Sequence, residues 1–559
     1  MEASTTGGRP DWTRDLGPLK VPAVTVDSHI AERAVETPDA VALIYYGRSL
    51  TYGALNAAVE RLAGFLQRRR GVVKGDRVLL VLQNSPQFVI AYYAILRADA
   101  VVVPGNPMNR SAELAHYLDD SGARVAIVGE ELAEILAPLV GQGSLRHLIL
   151  GRYGDYADPD SDIPLPETLR SPASPPEGDA VTAWQDALIL DLRPGPQQAQ
   201  ADDLAVIPYS SGTTGAPKGC MHSHRTVMTT VIGGIAWNPG SDGHAIHLIS
   251  LPLFHVTGMQ NGMNAPLYQG HTLVLMSRWD RRSAARLIER HRIARWRNIT
   301  TMVIDLLGDP DLAAYDLSSL EGIGGGGAAM PDAVFDALRA RTGLSYVEGY
   351  GLTETMAATH INPPDRPRRK CLGLPVFEVD ARIRDPDSGD LLGVDRPGEI
   401  VIHAPQVFLG YWNDPEATEA AFVEIEGKRF FRTGDIGRVD ADGFFYMVDR
   451  IKRMINLSGF KVWPAEVELL LHRHPAVAEA CVIATRDSRR GESVKALLVP
   501  AEGAVRPSDA DIMDWCRERL SAYKVPRALA WVESLPRSGT GKVDWRALQA
   551  REEEGTSDA

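Results

Sequence analysis

Cysteine is scarce in this chain. Four occur in 559 residues, Cys220, Cys371, Cys481 and Cys516, far apart and in no metal-ligand spacing. That excludes a disulfide framework and a zinc cluster, and fits a reduced, cytoplasmic setting. Long apolar runs are missing too: the longest, Phe88 to Leu96, falls far short of the ~20 residues of a membrane helix. Met1 to Pro10 is polar and rich in Gly and Thr, without the charged start and apolar core of a signal peptide. Basic residues are outnumbered, 59 against 72 acidic, for a net charge of -13. The basic clusters, Arg68-Arg69-Arg70 and Arg366 to Lys370, are short. No nucleic-acid partner is expected. Nothing resembles a Ser-His-Asp or Cys-His set, so no protein nucleophile is implied.

What is present describes a soluble globular protein, 44% hydrophobic and 23% charged, long enough for two to four structural units. From Arg77 the pattern alternates: a strand to Leu82, a helix opened by Ser85-Pro86, a strand at Ala100 to Val103, a helix from Ser111, and a strand at Arg124 to Val128. Such alternation predicts a parallel, helix-covered sheet. The Pro-, Asp- and Ser-rich stretch from Asp155 to Asp203 is expected to wander over the surface. Beyond Asp449 a shorter pattern begins. A helix is expected from Pro464 to about His472, strands at Val477 to Ala484 and Val494 to Val499, a helix at Asp509 to Leu520, and a frayed end from Arg551. The fold class read here is a large α/β N-terminal domain, 1–448, with a small α+β C-terminal domain, 450–559.

Chemistry concentrates in Tyr209-Ser-Ser-Gly-Thr-Thr-Gly-Ala-Pro-Lys-Gly219, between a strand at Leu204 to Ile207 and a buried helix at Thr226 to Ile235. Gly212, Gly215 and Gly219 admit positive φ and leave N–H groups uncovered, which makes an anion-binding concavity. Ser210, Ser211, Thr213 and Thr214 add hydroxyls, and Lys218 adds a cation. The segment is not a Walker loop, and Gly541-Lys542 has Pro536 and Val543 where that motif needs Gly and a hydroxyl. Downstream lie Leu251-Pro-Leu-Phe-His255-Val-Thr-Gly258, Glu348-Gly-Tyr-Gly-Leu-Thr-Glu354, Arg432-Thr-Gly-Asp435, Asp449-Arg450-Ile-Lys452, Asn456-Leu-Ser-Gly459-Phe-Lys461 and Pro536-Arg-Ser-Gly-Thr-Gly-Lys542. Gly322, Gly324 and Gly327 also fit a dinucleotide fingerprint with Glu348 as its acid, which keeps an NAD-dependent dehydrogenase open.

Taken together, in this order, these segments resemble the adenylate-forming superfamily of acyl-CoA synthetases, peptide-synthetase adenylation domains and beetle luciferases. The resemblance covers residues from about 205 to 542; before 200 it is general, as in Leu50-Thr-Tyr-Gly-Ala-Leu55. It implies ATP, Mg²⁺ and coenzyme A as cofactors and a small carboxylic acid as partner. It places the Ser/Thr loop and Lys218 on phosphate and Gly326-Gly327-Ala328 in the adenine pocket, with Tyr350 and Gly351 against adenine. Thr353 would contact phosphate, Glu354 would hold Mg²⁺, Asp435 and Arg450 would bind ribose, Gly459 would border the pantetheine tunnel, Lys461 would be a further cofactor-binding residue, and Asp449 would be a hinge. Lys542 would bridge the substrate carboxylate and the α-phosphate, assisted by Thr214. Where amino-acid-activating relatives carry Asp, this chain has His255, so an acid without an α-amino group is implied, with His255 in a pocket or gating role. The expected reaction is acyl-AMP formation with release of pyrophosphate, then transfer to coenzyme A. Medium- to long-chain fatty acids come first and aryl acids second. A carrier-protein acyl-AMP ligase, a luciferase-like oxygenase, a noncatalytic nucleotide sensor and a homodimeric state stay open.

Overall fold

The structure is a computed structural model that describes residues 18–170, 178, 180–210, 217–238, 243–327, 329–450, 453–457, 460–487, 491–501, 503–537 and 543–555. The chain divides into two compact units, Met1–Ala381 with Ile402–Phe431, and Arg382–Val401 with Arg432–Ala559. Asp449 lies inside the second unit, in the strand Phe445–Arg450.

The first unit holds two large sheets. A seven-stranded sheet runs His222–Ser223, Leu204–Val206, Val101–Pro104, Arg77–Val81, Val125–Gly129, His147–Gly151 and Val181–Ala183. All neighbours in it are parallel except the first pair. The expected alternation is therefore present, and Ser85 caps Pro86–Arg97 by accepting from Phe88 N at 3.2 Å. Every side chain of Phe88 to Leu96 is buried, which is why that helix is apolar all round. Its core continues into a nine-stranded sheet, ordered Leu374–Pro375, Ala357–Ile361, Tyr346–Leu352, Gly322–Gly326, Arg295–Asn298, Ile246–Ile249, Thr272–Leu275, Val41–Tyr45 and Arg48–Thr51.

The structure sharpens two readings here. The stretch from Asp155 to Asp203 is not wholly irregular: Val181–Ala183 extends the seven-stranded sheet, and Trp184–Ile189 is a helix that buries Trp184. The run Gly322–Gly326 is a strand inside the larger sheet, where a fingerprint would need a strand-to-helix turn. Glu348 accepts from Met330 N at 2.8 Å and Cys371 N at 3.2 Å, so its carboxylate is engaged by backbone. Neither half of the dinucleotide-binding alternative is formed.

The second unit carries a five-stranded sheet in which Phe460–Val462, Ile455–Leu457, Gly491–Pro500 and Val477–Asp487 are successive neighbours and Ala528–Trp531 pairs Gly491–Pro500. Val462, Val467, Leu471, Val482, Val494 and Ile512 form its core. The expected α+β elements are present, joined by the strands Ile455–Leu457, Phe460–Val462 and Ala528–Trp531, and the helix Trp545–Gly555 reaches into the end read as frayed. Glu552 anchors it, accepting from Thr485 Oγ1 at 2.7 Å and Lys495 Nζ at 2.5 Å. Among the described residues no helix is long and apolar enough to cross a membrane.

Burial sets an acid limit on the first unit. Desolvation lowers the pKa of His222, His224 and His271 to about 4, and of His29 and His360 to about 3. A base whose folded pKa is depressed stays neutral in the folded chain while the unfolded chain takes up protons. Stability is therefore lost as pH falls from about 6.5 towards 4. We expect the melting temperature to fall steeply over that window; a flat profile between pH 6.5 and 4.5 would contradict the buried neutral histidines.

Candidate functional site

The glycine- and hydroxyl-rich loop closes a hairpin. Tyr209–Ser210 pairs antiparallel with Lys218–Gly219, and His222–Ser223 returns to the sheet before the helix His224–Trp237 begins. The sequence placed this loop between a strand and a helix, and the structure adds the short returning strand His222–Ser223 before that helix. Residues 211–216, with Ser211, Gly212, Thr213, Thr214 and Gly215, lie outside the described residues. The hairpin base is braced. Tyr209 stacks on Tyr117 at 4.3 Å and donates to Asp120 Oδ2 at 2.5 Å, while His116 Nε2 contacts Pro217 O at 2.9 Å. Gly219 is needed for close packing: a Cβ there would stand 2.6 Å from Ile207 Cγ2.

Beside it, the strand Tyr346–Leu352 turns through Thr353–Thr355 into Ala357–Ile361. The ladder between these strands slips at Tyr350/Gly351, and a Cβ on Gly351 would lie 1.8 Å from Ala357 O. Bulge and glycine together turn the chain sharply enough to present Thr353 and Glu354 at the strand end. Tyr350 is buried against His360, ring centroids 5.6 Å apart. On the neighbouring strand, Gly326 runs so near Gly349 O that a Cβ would meet it at 2.3 Å, and Gly327 takes φ +91°. A side chain at Gly326 would collide with the neighbouring strand, so glycine there lets the two strands lie close along this edge. Ala328 lies outside the described residues.

The segment Phe408 to Asp414, which the sequence reading passed over, ties these parts together. Tyr411 Oη donates to Glu354 Oε1 at 3.0 Å, and Phe408 N donates to Glu354 O at 2.8 Å. Asp414 Oδ2 accepts from Lys218 Nζ at 2.8 Å, and that ammonium stands 5.4 Å from the Tyr411 ring. The Lys218 hydrogen bond holds the Asp414 carboxyl below the usual range. His222 Nε2 lies 2.8 Å from Thr353 O, and burial depresses its pKa to about 4, so the neutral ring donates that bond. The chemistry of the donor set fits Mg²⁺, which takes one or two carboxylates together with substrate phosphates. Among the described residues no three His, Cys, Asp or Glu side chains gather as a metal site of their own.

The AMP-binding enzyme model matches residues 30–412, and the AMP-binding enzyme C-terminal domain model matches residues 466–542. The chain belongs to the AMP-binding enzyme family. It is similar to a long-chain-fatty-acid–CoA ligase of Bacillus subtilis, 34% identical over 552 residues, covering 96% of this chain and 96% of that protein. It is also 34% identical over 522 residues to a feruloyl-CoA synthase of an Amycolatopsis species, covering 91% of this chain and 96% of that one. Among solved structures, ATP-bound MatB from Rhodopseudomonas palustris superposes with a TM-score of 0.81 at 26% identity, over 94% of this chain and 99% of that chain. The resemblance drawn from the motifs is borne out, and with it the adenylate-forming fold and the class, an AMP-forming acid–thiol ligase.

In this AMP-binding enzyme His255 is exposed, at a turn that leads into a π-helix, Gly258–Asn264. The turn depends on Gly258, whose Cβ would stand 2.1 Å from Pro252 O. Such helices recur at functional sites. This one lines a cavity of about 20 Å³ with Thr230, Gly233, Gln260, Asn261, Ala357 and Gln406. Two of its lining residues, Gln260 and Thr230, belong to a buried polar network. Gln260 donates to Thr230 Oγ1 at 2.8 Å, and Asn264 donates to Gln260 Oε1 at 2.8 Å and accepts from Tyr93 Oη at 2.8 Å.

Within the second unit, Asp435 is buried and pairs across the ladder with Arg450, while its N–H donates to Thr433 Oγ1 at 3.0 Å. Asp449 Oδ2 accepts from Ala465 N at 2.7 Å. It thereby caps the helix Pro464–Leu471, whose own cap position, Trp463, makes no side-chain cap bond. The side chains of Arg450 and Lys461, and the whole of Gly459 and Lys542, lie outside the described residues.

Proposed function

We propose that the protein is an ATP-dependent acid–CoA ligase acting on an apolar carboxylic acid, a medium- to long-chain fatty acid first and an aryl acid second. The observation that carries this reading is the tethering of Glu354 and Lys218, a carboxylate and an ammonium, to one short segment beside the phosphate hairpin. In the first step the acid's carboxylate attacks the α-phosphate of ATP and pyrophosphate leaves. Lys218 and the hydroxyls of the hairpin loop hold the departing phosphates, Tyr350 with the Gly326-Gly327 segment takes the base, and Asp435 with Arg450 takes the ribose. Mg²⁺, held at Glu354, would offset the repulsion between phosphates and the incoming carboxylate. Lys542 then stabilises the charge that gathers on phosphorus. In the second step the coenzyme A thiol displaces AMP, with the Gly459 segment in place of the Lys542 loop after rotation about Asp449. A cytoplasmic location suits these soluble substrates.

The acid is assigned on the relatives, one named for long-chain fatty acids and one for ferulate. Pyrophosphate release measured across acids from acetate to palmitate, with aryl acids alongside, should peak in the medium to long range and require CoA for turnover. A peak at aryl acids would select the second substrate class. Turnover with a carrier protein but not with free CoA would overturn the ligase assignment.

A further inference from the structure

Glu354 and Lys218 lie far apart in sequence and carry opposite charges that must both meet the phosphates, so something has to fix their spacing. The segment Phe408 to Asp414 does this through side chains and backbone alike. Trp412 N donates to Gly219 O at 2.8 Å, Leu409 N to Met221 O at 2.9 Å and Met221 N to Gly410 O at 3.0 Å, so the segment lies along the return arm of the phosphate hairpin. From there Phe408 N reaches Glu354 O and Tyr411 Oη reaches the Glu354 carboxylate, while Asp414 holds Lys218. The Tyr411 ring packs against Phe408, centroids 4.8 Å apart, and its backbone forms a β-bridge with Cys220. Only its hydroxyl is therefore left to act on Glu354.

We propose that Tyr411 is a positioning residue for adenylation: its hydroxyl fixes the plane of the Glu354 carboxylate for the cation that accompanies ATP, and Asp414 fixes Lys218 in step with it. This rests on the proposed role of Glu354. A hydrogen bond to a metal-ligating carboxylate is worth at least about tenfold in metal affinity. Tyr411→Phe keeps the ring and removes one atom. In calorimetric titrations of ATP at graded Mg²⁺, that variant should need about tenfold more Mg²⁺ for half-maximal ATP binding, with its ligand-free melting temperature close to that of the parent. On a Glu354→Gln background the same substitution should add nothing to the Mg²⁺ requirement, because the carboxylate it orients for the cation is gone. As a second readout, 3-fluorotyrosine at position 411 should show a fluorine shift when Mg²⁺ is added in the presence of ATP, and none with ATP and a chelator. An unchanged Mg²⁺ requirement with Tyr411→Phe, an equal loss on the Glu354→Gln background, or a fluorine signal blind to Mg²⁺ would each overturn the inference. If Glu354→Gln itself leaves the Mg²⁺ requirement unchanged, the failure belongs to the proposed role of Glu354.

Discussion

Lys542→Ala is expected to lower pyrophosphate release from ATP and acid by a factor of about 10² to 10³, the usual cost of removing one preorganised charge from a transition state. The same variant, supplied with synthetic acyl-AMP and CoA, should form thioester at close to the parental rate. The split follows from the proposed exchange of segments: in the first step negative charge gathers on phosphorus, and in the second the attack is on a carbonyl carbon with AMP leaving. A group that serves only the first step leaves the second intact. Rapid-quench measurement of each half-reaction separates them. Equal losses in both would mean that Lys542 acts on binding or on the fold, and would remove the reason for assigning it to adenylation.

How far this could be read from sequence depends on how local each signal is. The helix at Pro86 was legible because Ser85 and Pro86 are a cap and a first-turn residue, and the cap is made within the same turn. Likewise the strands around Arg77 and Val125 announce themselves by continuous apolar runs. The Gly322–Gly326 strand was not legible, because glycine is depleted in strands and suggests a loop. The reason lies across the sheet: a Cβ on Gly325 would stand 1.8 Å from Asn298 O, a neighbour remote in sequence. Tyr411 and Asp414 were missed for the same reason. Locally they stand in Gly-Tyr-Trp-Asn-Asp-Pro, which has the composition of a turn and a helix start, and Asp414 does cap the helix Pro415–Ala420. Their link to Glu354 and Lys218 spans 57 and 196 positions respectively. The period of the chain carries no trace of such a contact. The one available signal was chemical, a phenol and a carboxylate in a segment otherwise hard to account for.

Gly351→Ala should abolish ATP binding and lower the melting temperature, while Gly349→Ala, two positions earlier on the same strand, should cost far less on both counts. The contrast is geometric. At Gly351 the new methyl would stand 1.8 Å from Ala357 O and 2.4 Å from its carbonyl carbon, whereas at Gly349 it would meet His360 O at 3.3 Å. The first obstacle is backbone and cannot rotate away, so the strands Tyr346–Leu352 and Ala357–Ile361 must separate at the slip where their register already changes. Overpacking of this kind typically costs about 1–3 kcal/mol and more when backbone must move. It falls on the turn that presents Thr353 and Glu354, and it carries Glu354 away from Tyr411. Loss of nucleotide binding should therefore exceed what the fall in stability alone explains, and calorimetry with ATP at a temperature well below the transition reads that excess. Equal ATP affinity and equal melting temperatures for the two variants would mean that the close approach at Gly351 does not shape the site.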